Sequence, residues 1–247
     1  MEDDVTAKDQ LFVALDLDSP NEARVLAGRL REHVGGFKLG SKLFTRDGPA
    51  LVRDIGIKFL DLKTHDTPNT VGGAVFAAGM LGVKMMTVHT LGGRKMLLSA
   101  RRALDEVEAE QNFRPKLLGV TVLTSLSEGS LREIGFDPRR TLADHVASLA
   151  ELAYDCGLDG VVCSAGEIRI VRQKVSDGQF LIVTPGIRAR GAEYDDQHRT
   201  YSAYEAIGLG ADFLVVGRPI HASPDPVAAA QKLVAEIEAS LNAKRSL

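Results

Sequence analysis

The chain has 247 residues, of which 45% are hydrophobic and 26% are charged, and its formal net charge is −3. This composition is typical of a folded globular protein, so it excludes a disordered chain and gives no global basis for binding nucleic acid. The two cysteines form no C-x-x-C motif, no apolar run reaches the ~18 residues of a membrane span, and the polar start does not resemble a signal peptide. We therefore expect a cytoplasmic protein without a disulfide, a zinc site or a membrane segment.

Eight short apolar runs follow the first ten residues, which we predict to form a flexible N-terminal arm. Each run has 5–8 residues, mostly Val, Ile, Leu and Phe, as expected for buried strands of a parallel sheet. The predicted strands are Leu11–Asp16, Gly36–Gly40, Ile57–Lys63, Val83–His89, Lys116–Leu123, Asp159–Cys163, Phe180–Thr184 and Asp212–Gly217.

Amphipathic segments lie between these runs. Ser19–Val34 begins with Ser19 as a plausible N-cap and Pro20 at the first helical position, and apolar residues then recur with helical spacing. Pro68–Leu81 and Leu142–Cys156 show the same pattern. Pro226–Leu241 is the strongest predicted helix.

Alternating strands and helices predict a parallel sheet with right-handed crossovers. The 247 residues divided among eight units give about 31 residues each, which fits the repeat of a single-domain (β/α)₈ TIM barrel over residues 11–247. The alternative is a doubly wound open sheet, in which the first turn is commonly glycine-rich. The first turn here, Leu17–Pro20, contains no glycine, which favours the barrel.

Charged residues collect at the predicted carboxyl ends of the first three strands, where the chemistry of such barrels is found. Asp16 ends the first strand, Lys38 lies within the second, and Asp61 and Lys63 lie in the third. Residues two apart on a strand share a face, so we expect Asp61 and Lys63 to face the barrel interior, together with Lys38. Buried charges require partners, and alternating lysines and aspartates provide them. This grouping favours a functional site over solvated surface charges.

Neighbouring residues also have purely structural explanations. Asp66 and Thr67 precede Pro68 and could simply begin a helix, with Thr67 as its cap. His65 lies on a predicted loop, where a structural role is the commoner one. His89 ends the fourth predicted strand, and a histidine satisfied at the rim is as plausible there as a ligand.

The loops after the seventh and eighth strands are the usual phosphate site of this fold. Gly217 would let backbone N–H groups approach an anion, and Arg188 and Arg218 would each offer a guanidinium. The polar segment Gly186–Arg199, which carries Gln197, is long enough to act as a lid. A solvated surface loop is the alternative.

Six motifs together resemble the orotidine 5′-phosphate decarboxylases of the bacterial type: KLG, FLDLKTHDTPNT, VTVLTS, DGVVCSA, TPGIR and VVGRP. The most specific is the D-x-K-x-x-D pattern of Asp61, Lys63 and Asp66, and the resemblance covers almost the whole chain. It implies a lyase of pyrimidine biosynthesis that converts orotidine monophosphate to uridine monophosphate and carbon dioxide without a cofactor or a metal.

The same resemblance implies roles for individual residues. Lys63 would donate the proton, Asp61 would face the substrate carboxylate, and Lys38 would complete the charge network and touch the ribose. Asp66 would reach the site from the second subunit of a homodimer and contact the substrate there. The remaining substrate contacts would be Asp16, Thr67, Thr70, Thr124, Ser125, Pro185, Arg188, Gln197, Gly217 and Arg218.

Two positions depart from the family pattern. Thr64 stands where an aromatic or aliphatic residue is common, and Thr67 where isoleucine is usual, so the wall beside the pyrimidine is less apolar. Two other functions stay open. Metal-dependent keto-gulonate and hexulose phosphate enzymes share the third-strand motif but carry a glutamate at the second strand, where this chain has Lys38. A non-catalytic barrel that binds a sugar phosphate would not need the complete charged set.

Overall fold

The computed structural model describes residues 5–188 and 201–245. Its parallel strands close into one barrel in chain order. The strands are β1 (Leu11–Ala14), β2 (Gly36–Gly40), β3 (Phe59–Thr64), β4 (Met85–His89), β5 (Lys116–Val120), β6 (Gly160–Val162), β7 (Leu181–Pro185) and β8 (Phe213–Val216). The predicted (β/α)₈ barrel is confirmed, and each predicted strand overlaps an observed one.

Helices occupy most of the connections between strands. Within the described ranges they are α1 (Pro20–Leu30), α2 (Ser41–Ile55), α3 (Pro68–Gly79), α4 (Gly93–Gln111), α5 (Glu128–Glu133), α6 (Leu142–Asp155), α7 (Ile168–Lys174), α8 (Ala203–Leu209), α9 (Arg218–His221) and α10 (Pro226–Arg245). Ser19 caps α1 as predicted, because its hydroxyl accepts the Asn21 N–H at 3.2 Å. None of the helices in the described part of the chain is long and apolar enough to cross a membrane.

Two strands end more than one residue earlier than predicted. β1 ends at Ala14, so Asp16 lies beyond the strand, although the Leu15 N–H still donates to the Lys38 carbonyl at 3.0 Å. β5 ends at Val120 rather than at Leu123. The chain turns there, and the Leu126 N–H donates to the Leu123 carbonyl at 2.9 Å.

Residues 5–10 lead into the barrel through a turn. The Asp9 N–H donates to the Thr6 carbonyl at 3.0 Å, and the Gln10 carbonyl accepts the Leu214 N–H of β8 at 2.8 Å. The second bond attaches the last part of the predicted arm to β8.

The chain divides into two compact units, one made of the residues up to Asp61 with those from Thr184 onward, the other of Leu62–Val183. The core of the first contains Phe12, whose ring meets Phe59 and Phe213 edge-to-face at 5.9 and 5.8 Å. In the second, the buried Asp159 carboxylate accepts the Leu117 N–H at 2.8 Å and pairs with Arg114 at 3.1 Å, which fixes the start of β5 beside β6.

Candidate active site

Lys38 joins two carboxylates at the carboxyl ends of β1, β2 and β3. Its Nζ lies 3.1 Å from Asp61 Oδ2 and 3.4 Å from Asp16 Oδ1. The Lys38 and Asp61 side chains are only 9% and 10% exposed, whereas that of Asp16 is 55% exposed. Gly40 leaves room for this arrangement, since a Cβ there would lie 3.2 Å from Asp16 Oδ1. The structure therefore brings together three of the charges that the sequence analysis grouped.

The carboxylates keep Lys38 charged. Burial alone would lower the pKa of Lys38, but the charges of Asp61 and Asp16, together with their hydrogen bonds, raise it above its ordinary value. A buried ammonium with two carboxylate partners is a fixed positive charge throughout the physiological pH range.

Lys63 has an unusual backbone for a strand residue. Its φ is 51°, in the left-handed region, and its N–H donates to the Thr87 hydroxyl at 2.9 Å. The prediction that Asp61 and Lys63 share a face assumed an extended backbone. That rule does not apply at Lys63, because a left-handed residue interrupts the alternation of side chains. Asp61 itself is buried, as predicted.

Two histidines at the ends of β3 and β4 stack on each other: His65 follows the last residue of β3, and His89 is the last residue of β4. The rings of His65 and His89 lie 5.5 Å apart with an interplanar angle of 25°. His89 Nδ1 accepts the Leu91 N–H at 3.4 Å, so the structural explanation of His89 has a specific contact in its favour. Burial, then the positive charges of His65 and Lys63, lower the pKa of His89 to about 4. The ring is therefore neutral at pH 7.

The start of α3 carries three of the predicted site residues, all exposed: Asp66, Thr67 and Thr70. Asp66 Oδ1 accepts the Thr67 N–H, and the Thr67 and Thr70 hydroxyls lie 3.0 Å apart. Thr67 occupies the N-cap position before Pro68, but its side chain accepts no backbone N–H of α3. The structural alternative, a helix that begins with Thr67 as its N-cap residue and Pro68 at its first position, is therefore confirmed, although the Thr67 hydroxyl contacts Thr70 and not a backbone N–H.

Thr124 and Ser125 form the middle of the turn that follows β5. Both are exposed. They lie at the carboxyl end of their strand, the end where the sequence analysis placed them.

The predicted phosphate loops begin as expected at the ends of β7 and β8. Pro185 is the last residue of β7, and the Arg188 N–H donates to the Tyr201 carbonyl at 3.1 Å. Gly217 immediately precedes α9, at whose first position Arg218 is exposed. Gln197 lies outside the described residues, as do residues 189–199 of the predicted lid.

Two other residues at this end of the strands, His221 and Thr87, are not predicted by the sequence patterns. Burial and the charge of Arg218 lower the pKa of His221, and the charge of Asp16 opposes this shift. His221 therefore lies close enough to both charged residues to interact with them. Its position four residues after Gly217, one helical turn away, was the available signal. Thr87 is a buried polar residue in the otherwise apolar start of β4, MMTV.

The described residues contain no group of three or more histidine, cysteine, aspartate or glutamate side chains that could hold a metal ion.

Comparison with known proteins identifies the family. The family model described as "Orotidine 5'-phosphate decarboxylase / HUMPS family" matches residues 9–233. The chain belongs to this family. A protein of Syntrophotalea carbinolica named orotidine 5′-phosphate decarboxylase is 50% identical over 96% of this chain and 98% of its own length. One of the same name from Moorella thermoacetica is 47% identical over 94% and 93%.

A solved structure supports the same assignment. The crystal structure of orotidine 5′-phosphate decarboxylase from Lactobacillus acidophilus matches with a TM-score of 0.80 and 38% identity, covering 92% of this chain and 98% of that one. Membership of the orotidine 5′-phosphate decarboxylase / HUMPS family confirms the resemblance drawn from the motifs.

Proposed function

We propose that this protein decarboxylates orotidine 5′-phosphate to uridine 5′-phosphate and carbon dioxide without a cofactor. The two relatives and the solved structure cited above all carry the name of this activity. The observation that carries the proposal is the buried Lys38–Asp61 pair, with Lys63 two residues further along β3. Binding a sugar phosphate alone would not require a buried carboxylate beside an anionic ligand.

The reaction sets a specific electrostatic problem. Loss of carbon dioxide leaves a carbanion at C6 whose electron pair lies in the ring plane and cannot delocalise into the π system. An ammonium about 4 Å from this charge contributes roughly 4 kcal/mol at an effective dielectric constant of 20. We assign Lys63 to this role and to the following transfer of a proton to C6.

Asp61 and Lys38 complete the assignment. Asp61 would face the carboxylate that leaves, so that two like charges are brought together in the bound substrate. Lys38 Nζ, 3.1 Å from Asp61, stabilises the ionised form of Asp61 and would also touch the ribose. Asp16, on the exposed side of Lys38, is assigned to the ribose.

The remaining residues would bind the rest of the nucleotide. Pro185, Arg188, Gln197, Gly217 and Arg218 are assigned to the phosphate and the lid. Binding energy from the phosphate would then drive closure over the site and raise turnover as well as affinity.

Residues near the start of α3 and after β5 would contact the pyrimidine and ribose: Asp66, Thr67, Thr70, Thr124 and Ser125. Asp66 would reach this site from the partner subunit of a homodimer. We assign the protein to the cytoplasm.

The other branch of the family is disfavoured by one residue. Its metal-dependent enzymes require a carboxylate at the second strand, and this chain has Lys38 there, with its ammonium already held by two carboxylates. A divalent cation beside that ammonium would be repelled. A non-catalytic barrel that binds a sugar phosphate is the third candidate, and it differs from the proposal in having no turnover.

The test is a direct assay. Purified protein is mixed with orotidine monophosphate, and the loss of its absorbance is followed with and without EDTA. We expect turnover that EDTA leaves unchanged, and a fall in kcat of several orders of magnitude in Lys63→Ala. Absence of turnover in the folded wild type would refute the proposal. Reversible loss of turnover in EDTA would point to the metal-dependent branch.

A further inference from the structure

Two side chains of β4 contact the end of β3 on either side of Thr64. Thr87 and His89 are two residues apart on β4 and therefore lie on the same face of that strand. The Thr87 hydroxyl accepts the Lys63 N–H at 2.9 Å, and the His89 ring stacks on His65 at 5.5 Å. The segment that carries Lys63 is thus held at two points.

The held segment contains an unfavourable backbone conformation. Within the described residues, Lys63 and Asn112 are the only residues other than glycine that have a positive φ. Asn112 is the C-cap of α4, a position where left-handed residues are common. Lys63 lies inside β3, where a left-handed residue is strained and persists only if its surroundings impose that conformation.

The Thr87 hydroxyl is well placed to impose this conformation. Thr87 is 3% exposed and its hydroxyl meets the amide of the strained residue itself. The second contact, the stack of His65 on His89, holds the residue after Thr64. It therefore opposes a movement of this segment away from β4. Burial and nearby positive charge lower the pKa of His89 to about 4, which keeps this ring neutral beside the Lys63 ammonium.

We propose that Thr87 and His89 are positioning residues, which hold the backbone of Lys63 in its left-handed conformation and so present its ammonium to the substrate. The proposal rests on the proposed function, in which Lys63 is the catalytic group. Neither Thr87 nor His89 needs to touch the substrate.

The first test compares Thr87→Val with Thr87→Ser. Valine keeps the shape of threonine but cannot accept the Lys63 N–H, whereas serine can. We expect Thr87→Val to lower kcat by about 10- to 100-fold with less than about a threefold change in KM, and Thr87→Ser to restore most of the rate. Thr121→Val is the matched control, because Thr121 is also buried and its hydroxyl donates to the Val162 carbonyl at 2.9 Å. It should lose stability without losing kcat per folded molecule.

A binding measurement separates positioning from stability. A uridine monophosphate analogue with a negative charge at ring position 6 should bind Thr87→Val more weakly, by about the factor lost in kcat/KM, because the ammonium no longer meets the charge. Uridine monophosphate, which lacks that charge, should bind with little change. A purely structural role would weaken both ligands equally or neither, and either result would overturn the proposal.

His89→Asn gives an independent test that also decides the matter if Thr87→Val does not fold. The asparagine oxygen can accept the Leu91 N–H in place of Nδ1, but the ring that stacks on His65 is gone. We expect kcat to fall by about tenfold, with KM nearly unchanged. If His89→Asn keeps the wild-type kcat and the wild-type affinity for the analogue, His89 has no positioning role. If Thr87→Ala also keeps both values, the whole proposal is refuted. Failure of the proposed function is a different result, since the wild type itself would then show no turnover.

Discussion

Replacing Lys38 with methionine removes the cation that lies between two carboxylates but keeps a side chain of similar length. Asp61, whose side chain is only 10% exposed, then carries a charge without this partner. At the observed 3.1 Å and an effective dielectric constant of 20, the attraction that is lost amounts to roughly 5 kcal/mol. Removal of one partner from a buried pair commonly costs about 3–5 kcal/mol, and we expect Lys38→Met to fall in that range. Asp16→Asn should cost less than about 1 kcal/mol, because the Asp16 side chain is 55% exposed.

The direction in which stability changes with pH follows from the direction of the Lys38 pKa shift. The folded-state pKa of Lys38 is raised above its ordinary value, so the folded protein holds this proton more tightly than the unfolded chain does. The stability contributed by the lysine is therefore fully present below the ordinary lysine pKa and is lost as the pH rises through the raised one. Lys38→Met should lack this alkaline component of the stability curve.

Urea unfolding followed by far-UV circular dichroism measures these changes, since the chain has no tryptophan to serve as a fluorescence probe. The decisive control is Asp61→Asn in the Lys38→Met background, which removes the remaining buried charge. We expect this second substitution to recover most of the lost free energy of unfolding. A cost of less than about 1 kcal/mol for Lys38→Met, or no recovery of stability by Asp61→Asn in that background, would show that the buried pair does not stabilise the fold.

Three further predictions concern other parts of the site. Mixing inactive Lys63→Ala and Asp66→Ala proteins should restore part of the activity if the two subunits of a homodimer share sites; no recovery after confirmed subunit exchange would contradict a shared site. Arg218→Ala should raise KM and lower kcat for orotidine monophosphate but change little for a substrate that lacks the phosphate, and equal losses for both would remove the phosphate assignment. Thr64→Val should leave the unfolding midpoint unchanged or raise it, because the buried Thr64 hydroxyl has no hydrogen-bond partner among the described residues, and a marked fall would show that the hydroxyl is satisfied in solution.

The parts of the structure that the sequence predicts are those governed by local pattern. Buried parallel strands require continuous apolar runs, so all eight strands could be located from these runs in the sequence. Ser19 before Pro20 marks the start of α1 because a capping hydroxyl and a proline act within one turn. Lys38 and Asp61 could be paired because adjacent parallel strands bring inward-facing residues together, and their observed separation is 3.1 Å.

The parts that could not be predicted depend on contacts between distant residues. The left-handed backbone of Lys63 is set by a hydroxyl 24 residues away, on Thr87. Strand alternation, the rule applied to Lys63, assumes that no such contact intervenes. The stack of His65 on His89 likewise joins two strand ends, and each histidine considered alone suggests a loop residue or a rim residue. The strained lysine and its supports are thus the features for which a local rule is insufficient, and they lie where the proposed chemistry is placed.

The stability that depends on His89 changes with pH in the opposite direction to the stability that depends on Lys38. Burial, followed by the positive charges of His65 and Lys63, lowers the pKa of His89 to about 4, below the ordinary value of 6.5. Between these two values the unfolded chain binds a proton that the folded protein does not, so stability must fall as the pH falls through this window. At roughly 1.4 kcal/mol per pKa unit, the full effect is about 3 kcal/mol. His89→Asn removes the titrating group, and its stability should depend less on pH between about 4 and 6.5 than that of the wild type. An NMR titration of the His89 ring is the independent check. A midpoint near 6.5 would show that the ring takes up a proton like an exposed histidine. The ring would then not stay neutral beside the Lys63 ammonium as the pH falls through this window.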